Sequence, residues 1–174
     1  MATNELTPSQ RESLALLTST ADRLEKAVAG LSDKELDHSP APGEWSIRRI
    51  VHHLVDGNLM WTFMFNQAIA GFGATLRVDG KFPGSEAWAD VLEYHRRPIQ
   101  AAVATVVSSH RFMAEAAAHF PDRWERYVTF PGAEGKEAQK ITAGQTVKML
   151  GEHLAEHVGR IEDIGRTQAL GGGF

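Results

Sequence analysis

Three histidines have a spacing that suits metal coordination on helices. His153 and His157 are four residues apart, and His53 lies much earlier in the chain. Because an α-helix advances about 100° per residue, side chains four apart lie one above the other on the same face. Two such imidazoles can share a divalent ion, and a third from a facing helix would complete a three-ligand set. Such a set leaves a position open for water or substrate, which is typical of catalytic metal sites.

Helical geometry also predicts where these rings point. In the last helical segment, His157 lies about 20° and His153 about 60° from the centre of the apolar stripe, on the same side. In an earlier segment, His53 lies about 60° from the centre of its stripe, whereas His52 lies about 160° away. We therefore expect His53, His153 and His157 to face the interior and His52 to face solvent or another chain.

Inward-facing histidines have explanations other than a metal. Burying an imidazole without a partner costs roughly 1–3 kcal/mol, which a shared ion would remove. Core histidines that form hydrogen bonds, or histidines that line a pocket without metal, would also explain inward-facing rings. The spacing alone leaves these alternatives open. The remaining candidates His95, His110 and His119 show no partner pattern, and we predict them at the surface or at helix ends.

Two charged residues accompany the histidines. Asp56 follows His53 by three positions and could accept a hydrogen bond from a ligand ring, the alternative being a solvated surface acid. Arg160 follows His157 by three and could bind an anionic substrate group, the alternative being a solvated cation.

Gly57 faces inward within a helical pattern, where it costs about 1 kcal/mol relative to alanine. It could make room for substrate or for close approach of a helix. We predict that Trp61, Met60 and Met64 belong to the core, with Trp61 the one that would contact a substrate.

The elements that must position these residues are four helical patterns, at about 7–30, 46–70, 85–119 and 142–166. Pro98 should kink or split the third pattern, because proline removes a backbone hydrogen bond. Aromatic and β-branched residues between Arg123 and Lys140 predict a long loop or a short hairpin before the last helix. Gly71 to Gly84 should be a loop, and the chain from about residue 168 a flexible tail. We expect a single all-α domain, 1–174, built as a four-helix bundle.

Composition narrows the possible partners and chemistry. The chain has 174 residues, a net charge of −4 and no cysteine. Without clustered Lys and Arg we expect no nucleic-acid partner, and without a long apolar run we expect no membrane span. The absence of a signal-like N-terminus predicts a cytoplasmic protein. Any thiol chemistry would require a thiol from outside the chain.

Two motifs resemble those of a known family. The run PGEWSIRRIVHHLVD, at 42–56, resembles the second-helix signature of the DinB superfamily, closest to its YfiT-like branch. The run HLAEHVGRI, at 153–161, resembles the family's closing motif, and SEAW at 85–88 resembles its entry into the third helix. One departure is that Asp56 precedes Gly57-Asn58, where the YfiT-like motif usually continues Ser-His.

The resemblance implies a four-helix bundle that binds one divalent metal, zinc or nickel, through His53, His153 and His157. It also implies a homodimer and a small-molecule substrate. Members of the family include thiol S-transferases that use bacillithiol or mycothiol, a glutathione-dependent isomerase and metal-dependent hydrolases. We therefore expect a metal-dependent thiol S-transferase, with a thiol at the open metal position and no protein nucleophile. The alternatives are a hydrolase that uses metal-bound water, and a non-catalytic metal- or ligand-binding stress protein.

Overall fold

The computed structural model describes residues 5–71, 73–76, 85–131 and 137–171. Within these ranges the chain forms six α-helices and two short strands. The helices are α1 (Pro8–Val28), α2 (Asp33–Asp37), α3 (Ile47–Ala70), α4 (Ser85–Val91), α5 (Gln100–His119) and α6 (Ala143–Gly171), and the strands are β1 (Tyr127–Phe130) and β2 (Gln139–Thr142). No helix in the described part of the chain is both long and apolar enough to cross a membrane.

The helices begin where polar side chains satisfy their first amides. At the start of α1, Thr7 Oγ1 accepts a hydrogen bond from the amide of Gln10 at 3.2 Å, and Gln10 Oε1 accepts one from the amide of Thr7 at 2.8 Å. The same reciprocal pair joins Thr142 and Gln145 at the start of α6. These capping boxes satisfy amides that have no partner within the helix, and they confirm the predicted starts.

The four long helices form a bundle in which α3 and α6 are neighbours. Helix α1 packs against α5 and α6, and α3 packs against the same two helices. The order around the bundle is therefore α1, α6, α3, α5. This order places the two histidine-bearing helices side by side.

The apolar stripes of these helices meet in two buried clusters. One cluster contains Ile50 and Leu54 of α3 with Leu154 and Val158 of α6. The other contains Phe65 of α3 and Leu150 of α6, together with parts of α1, α5 and β1. The candidate histidines lie on the same two helices at the levels of these clusters, so burial of the stripes fixes the direction of the imidazoles.

The third helical pattern is split, as Pro98 predicts. Helix α4 ends at Val91, a 3-10 turn spans Tyr94–Arg96, and α5 begins at Gln100. The carbonyl oxygen of Ile99 accepts the amide of Val103 at 2.8 Å, which starts the α5 ladder beyond the proline. The split lets α4 lie beside α3 instead of continuing the bundle helix.

The hairpin before the last helix is confirmed. β1 and β2 pair antiparallel, with Tyr127 opposite Thr142 and Phe130 opposite Gln139. Part of the predicted 71–84 loop, residues 73–76, is non-helical, and Thr75 pairs with Thr129. Residues 72 and 77–84 of that loop lie outside the described residues.

Helix α6 is longer than its apolar pattern predicted. It continues to Gly171 rather than ending near Arg166. Gln168 Nε2 donates to the carbonyl oxygen of Glu35 at 3.0 Å, which ties the last turns of α6 to α2. The start of the predicted tail is thus helical, and residues 172–174 lie outside the described part.

Candidate metal centre

The structure brings His53, His153 and His157 together. One ring nitrogen from each lies within 4.8 Å of the others. The ring centroids of His53 lie 5.4 Å from His153 and 5.1 Å from His157, and those of His153 and His157 are 4.5 Å apart. All three side chains are half-buried, with His53 contributed by α3 and the pair by α6.

The nitrogen positions fit a shared divalent ion. His153 Nε2 and His157 Nε2 are 3.1 Å apart. Two metal–nitrogen bonds of about 2.0–2.1 Å at a tetrahedral angle place their nitrogens about 3.3–3.4 Å apart, close to this distance. A hydrogen bond between the two rings would use the lone pair of only one Nε2 atom, whereas a bound ion would use the lone pairs of both. His157 Nδ1 is also buried without a hydrogen-bond partner among the described residues.

The electrostatics keep the imidazoles in the form that binds metal. Burial lowers the pKa of His53 and of His153, and the nearby His53 lowers that of His153 further. Burial, with smaller contributions from His153, His53 and Arg160, lowers the pKa of His157 to about 4. Neutral rings with free lone pairs therefore predominate at pH 7. Because neutral imidazoles carry no negative charge, three of them would not neutralise the charge of a bound ion.

A tryptophan from the loop before α3 supports His53. The Trp45 ring packs edge-on against His53 with centroids 5.1 Å apart. Trp45 Nε1 donates to Glu86 Oε1 of α4, and Arg49 donates to Glu86 Oε2 at 2.8 Å. The Arg49 guanidinium also lies 5.2 Å from the Trp45 ring centroid. The start of α4 is thereby tied to α3 beside the histidines.

One side of the site is polar. A cavity of 290 Å³ reaches His53 and His157 and is lined by Gly43, Trp45, Ser85, Glu86 and Arg160. Arg160 Nη2 lies 3.2 Å from Glu44 Oε2, and both side chains are about half exposed (46% and 48%). Arg160 thus lies at the mouth of the site with its charge partly balanced, and its binding of an anionic substrate group stays a prediction.

The other side is mostly apolar. A cavity of 360 Å³ reaches His53 and His153 and is lined by Asp56, Gly57, Met60, Trp61, Ser85 and Trp88. Trp61 therefore lines the cavity beside the histidines, and its contact with a substrate stays a prediction. The prediction that Met60 belongs to the core is wrong, because its side chain is 42% exposed, whereas Met64, one turn further along α3, is buried.

Asp56 lies in this apolar cavity instead of on the surface. Burial raises the pKa of its carboxyl, and a hydrogen bond from Trp88 partly opposes that shift. The hydrogen bond that Asp56 was predicted to accept from a ligand ring stays a prediction.

The prediction for His52 is wrong. Its ring is buried (2% exposed) and packs 5.5 Å from the Tyr94 ring, and its Nε2 lies 3.2 Å from the carbonyl oxygen of Arg97. The segment between α4 and α5 covers this side of α3, which the apolar stripe predicted to face solvent or another chain. His52 therefore joins that segment to α3 and is separate from the three-histidine group.

The prediction for His110 is also wrong. This residue of α5 is buried (1% exposed), and its Nδ1 lies 2.8 Å from the carbonyl oxygen of Val106. Burial lowers its pKa, and its Nδ1 is paired locally within α5. His95 and His119 are exposed, as predicted.

Two residues of the site were not singled out by sequence reasoning about chemistry. Trp88 and Glu86 belong to the SEAW run that was noted only as the start of a helix. Their positions depend on the split at Pro98, which turns α4 back onto α3. The sequence signal that could have identified them is a Glu and a Trp two residues apart at the start of a helix, and that signal is weak.

The bundle order, the three neutral imidazoles and the flanking cavities define a class: helical-bundle proteins with a three-histidine site suited to a divalent metal. Comparison with known families agrees with that class. The model of the DinB superfamily matches residues 16–161. This chain belongs to the DinB superfamily.

Named relatives agree with the family assignment. The chain is 23% identical over 143 residues to a protein of Oceanobacillus iheyensis named "putative metal-dependent hydrolase", a match that covers 81% of this chain and 77% of that protein. It is 27% identical over 90 residues to a protein of Bacillus cereus with the same name, covering 52% of this chain and 49% of that protein. The chain thus spans about half the length of the latter relative.

A solved structure shows the same fold. YfiT from Bacillus subtilis, described as a probable metal-dependent hydrolase with an unusual four-helix bundle topology, superposes with a TM-score of 0.73. The match covers 92% of this chain and 87% of that chain at 20% sequence identity. The all-α, YfiT-like four-helix bundle is therefore confirmed.

Proposed function

We propose that this protein is a metal-dependent thiol S-transferase in which His53, His153 and His157 hold one divalent ion, zinc or nickel. The observation that supports this most directly is the convergence of three neutral imidazoles from two helices beside two open cavities. Three ligands are the number typical of catalytic sites, since structural sites usually close their coordination with protein groups. A divalent ion held there lowers the pKa of a thiol or water bound to it.

We place a thiol ahead of water as the nucleophile because the motifs at 42–56 and 153–161 resemble those of a family that includes thiol S-transferases. The chain has no cysteine, so a thiol must come from a small molecule. Met60, Trp61 and Trp88 present apolar surface to the site, and such surface is poorly matched to ordered water but well matched to an organic electrophile. In the transfer the thiol sulfur forms a bond to an electrophilic carbon, the leaving group departs with the electrons of its bond to that carbon, and the thiol proton passes to solvent.

Arg160 is the group placed to bind a negatively charged part of the thiol. It lies at the mouth of the polar cavity with His157 one turn away, and its partner Glu44 is itself half exposed. A carboxylate on the thiol can compete for the guanidinium, because exposed ion pairs contribute little stability. The polar cavity would then orient the thiol, and the apolar cavity would receive the electrophile.

A metal-dependent hydrolase is the second candidate. It is favoured by the names of the relatives from Oceanobacillus iheyensis and Bacillus cereus, both called metal-dependent hydrolases. The same histidines would hold the ion, and water would replace the thiol. The two candidates differ in their need for an added thiol.

The test is transfer of a thiol to monochlorobimane by the zinc- or nickel-loaded protein, with bacillithiol, mycothiol and glutathione assayed in parallel. We expect acceleration of adduct formation with at least one thiol, lost in His53→Ala and kept in His95→Ala, which removes an exposed histidine. No acceleration with any thiol, together with thiol-independent hydrolysis of 4-nitrophenyl acetate that His53→Ala abolishes, would contradict the transferase and support the hydrolase.

A further inference from the structure

The apolar side of the site is built from residues that metal binding does not use. Gly57, Met60 and Trp61 of α3 and Trp88 of α4 form most of the lining of a cavity of 360 Å³, which also contacts Asp56 and Ser85 and reaches His53 and His153. This volume is at the lower end of the range for small-molecule pockets, roughly 300–1,000 Å³. Two indoles and a thioether offer flat and polarisable surfaces, which suit an aromatic or similarly compact apolar group.

Gly57 is the residue that keeps this cavity open next to His153. A Cβ atom at position 57 would lie 3.8 Å from His153 Cε1 and 3.9 Å from Trp61 Cδ1. These are ordinary van der Waals contacts, so alanine fits there without displacing a neighbour. Any larger side chain would extend from this point into the space between the two rings.

The backbone does not explain the glycine. Gly57 lies within the 24-residue helix α3 and is not among the described residues with positive φ. Glycine within a helix is less favourable than alanine. Close helix approach does not explain it either, because the atoms nearest to the built Cβ belong to the rings of His153 and Trp61 and not to another backbone. With these two explanations excluded, the effect of the missing side chain that remains is the open space beside His153.

We infer that Gly57, Met60, Trp61 and Trp88 bind an apolar group such as an aromatic ring on the electrophilic substrate, and that Gly57 determines how large this group can be. The inference rests on the proposed function, since it identifies the substrate class for that same site. The substrate is therefore an electrophile with an aryl or compact branched group close to its reacting carbon. Gly57 acts on specificity and takes no part in metal binding.

The test compares two fluorinated alcohols by ¹⁹F NMR titration of the full-length protein, with and without one equivalent of zinc. One probe is 4-(trifluoromethyl)benzyl alcohol, and the other is 2,2,2-trifluoroethanol, which lacks the ring. Burial of the ring should make the aryl probe bind at least about tenfold more tightly. Gly57→Leu should remove this preference, and Gly57→Ala should reduce it by a smaller factor.

Gly165→Leu is the matched control, because it places the same side chain on α6 at a glycine with open space around it. It should keep the wild-type preference. Equal binding of the two probes by the wild type, or an unchanged preference in a folded Gly57→Leu protein, would overturn the inference. If Gly57→Leu does not fold, an unchanged preference in Gly57→Ala together with unchanged binding in Trp88→Ala would overturn it.

The two proposals can fail separately. Aryl preference without retained zinc would support the inference about the cavity and contradict the metal site. Retained zinc without aryl preference would support the metal site and contradict the inference about the cavity.

Discussion

His52 and His53 are adjacent in the chain but face different environments. The His53 ring lies 5.4 Å from that of His153, whereas His52 Nε2 lies 3.2 Å from the carbonyl oxygen of Arg97. One turn before, Arg48 is also buried and donates to the same carbonyl at 3.1 Å and to Asp37 at 2.5 Å. Two neighbouring faces of α3 therefore serve different purposes. One contributes to the candidate metal site, and the other fastens the segment between α4 and α5.

This separation predicts opposite effects for substitutions of the two histidines. We expect His52→Ala to keep the metal but to lower the free energy of unfolding by about 1–3 kcal/mol, because it removes one of the two hydrogen bonds to the Arg97 carbonyl and opens a cavity beside Tyr94. Urea denaturation of His52→Ala and of His53→Ala, with metal analysis of both proteins in parallel, tests this. Metal loss in His52→Ala with unchanged stability would show that the assignment of the two rings is reversed.

The depressed pKa of His157, about 4, predicts a pH dependence of stability in the metal-free protein. An unfolded chain with an ordinary histidine pKa of 6.5 binds the proton first, so between about pH 6.5 and 4 the unfolded state holds more protons. The contribution of His157 to stability should therefore be fully present above pH 6.5, fall as the pH drops through this window, and level off below about 4.

The measurement is urea unfolding at several pH values with a chelator present, for wild type and His157→Gln. Glutamine does not titrate, so the variant should lose less stability on acidification than the wild type. Parallel pH profiles for the two proteins would contradict the assigned environment of His157.

Gly57→Ala should raise the stability of the protein. The added Cβ makes only ordinary contacts, and alanine is the better helix former by about 0.5–1 kcal/mol. The change should appear as a higher denaturation midpoint with an unchanged dependence on urea concentration. A loss of stability would mean that position 57 has no room for the methyl group.

Arg160→Ala should change substrate binding more than stability. Its ion pair with Glu44 is about half exposed, so the loss in unfolding free energy should stay below about 1 kcal/mol. With the metal content unchanged, KM should rise severalfold for a thiol that carries carboxylates and stay constant for 2-mercaptoethanol, which is neutral. An equal rise for both thiols would exclude a specific role in binding the anion.

Much of the fold could be predicted from local sequence signals. Thr7 and Thr142 begin helices through capping boxes, and Pro98 splits the third pattern, because caps and prolines act over only a few residues. The end of α6 was predicted too early. Its last turns are held by Gln168 and the Glu35 carbonyl, a contact across the fold that a local pattern does not show.

The inward direction of His53, His153 and His157 was predictable because the apolar stripes of α3 and α6 are regular. His52 and His110 were placed at the surface incorrectly, because a stripe shows only the main buried face of a helix. Their burial comes from elements packed at other angles, the Tyr94–Arg96 turn for His52 and the bundle interior around α5 for His110. The homodimer and the thiol co-substrate stay predictions.

The central claim is that the three histidines hold one metal ion, and elemental analysis tests it most directly. The protein should be purified without an affinity tag, incubated with zinc or nickel and desalted, alongside His53→Ala, His157→Ala and the exposed-histidine control His95→Ala. We predict close to one equivalent of metal in the wild type and the control, and a loss of most of it in the two site variants. A wild type that retains no metal after incubation, or site variants that retain as much as the wild type, would contradict the claim.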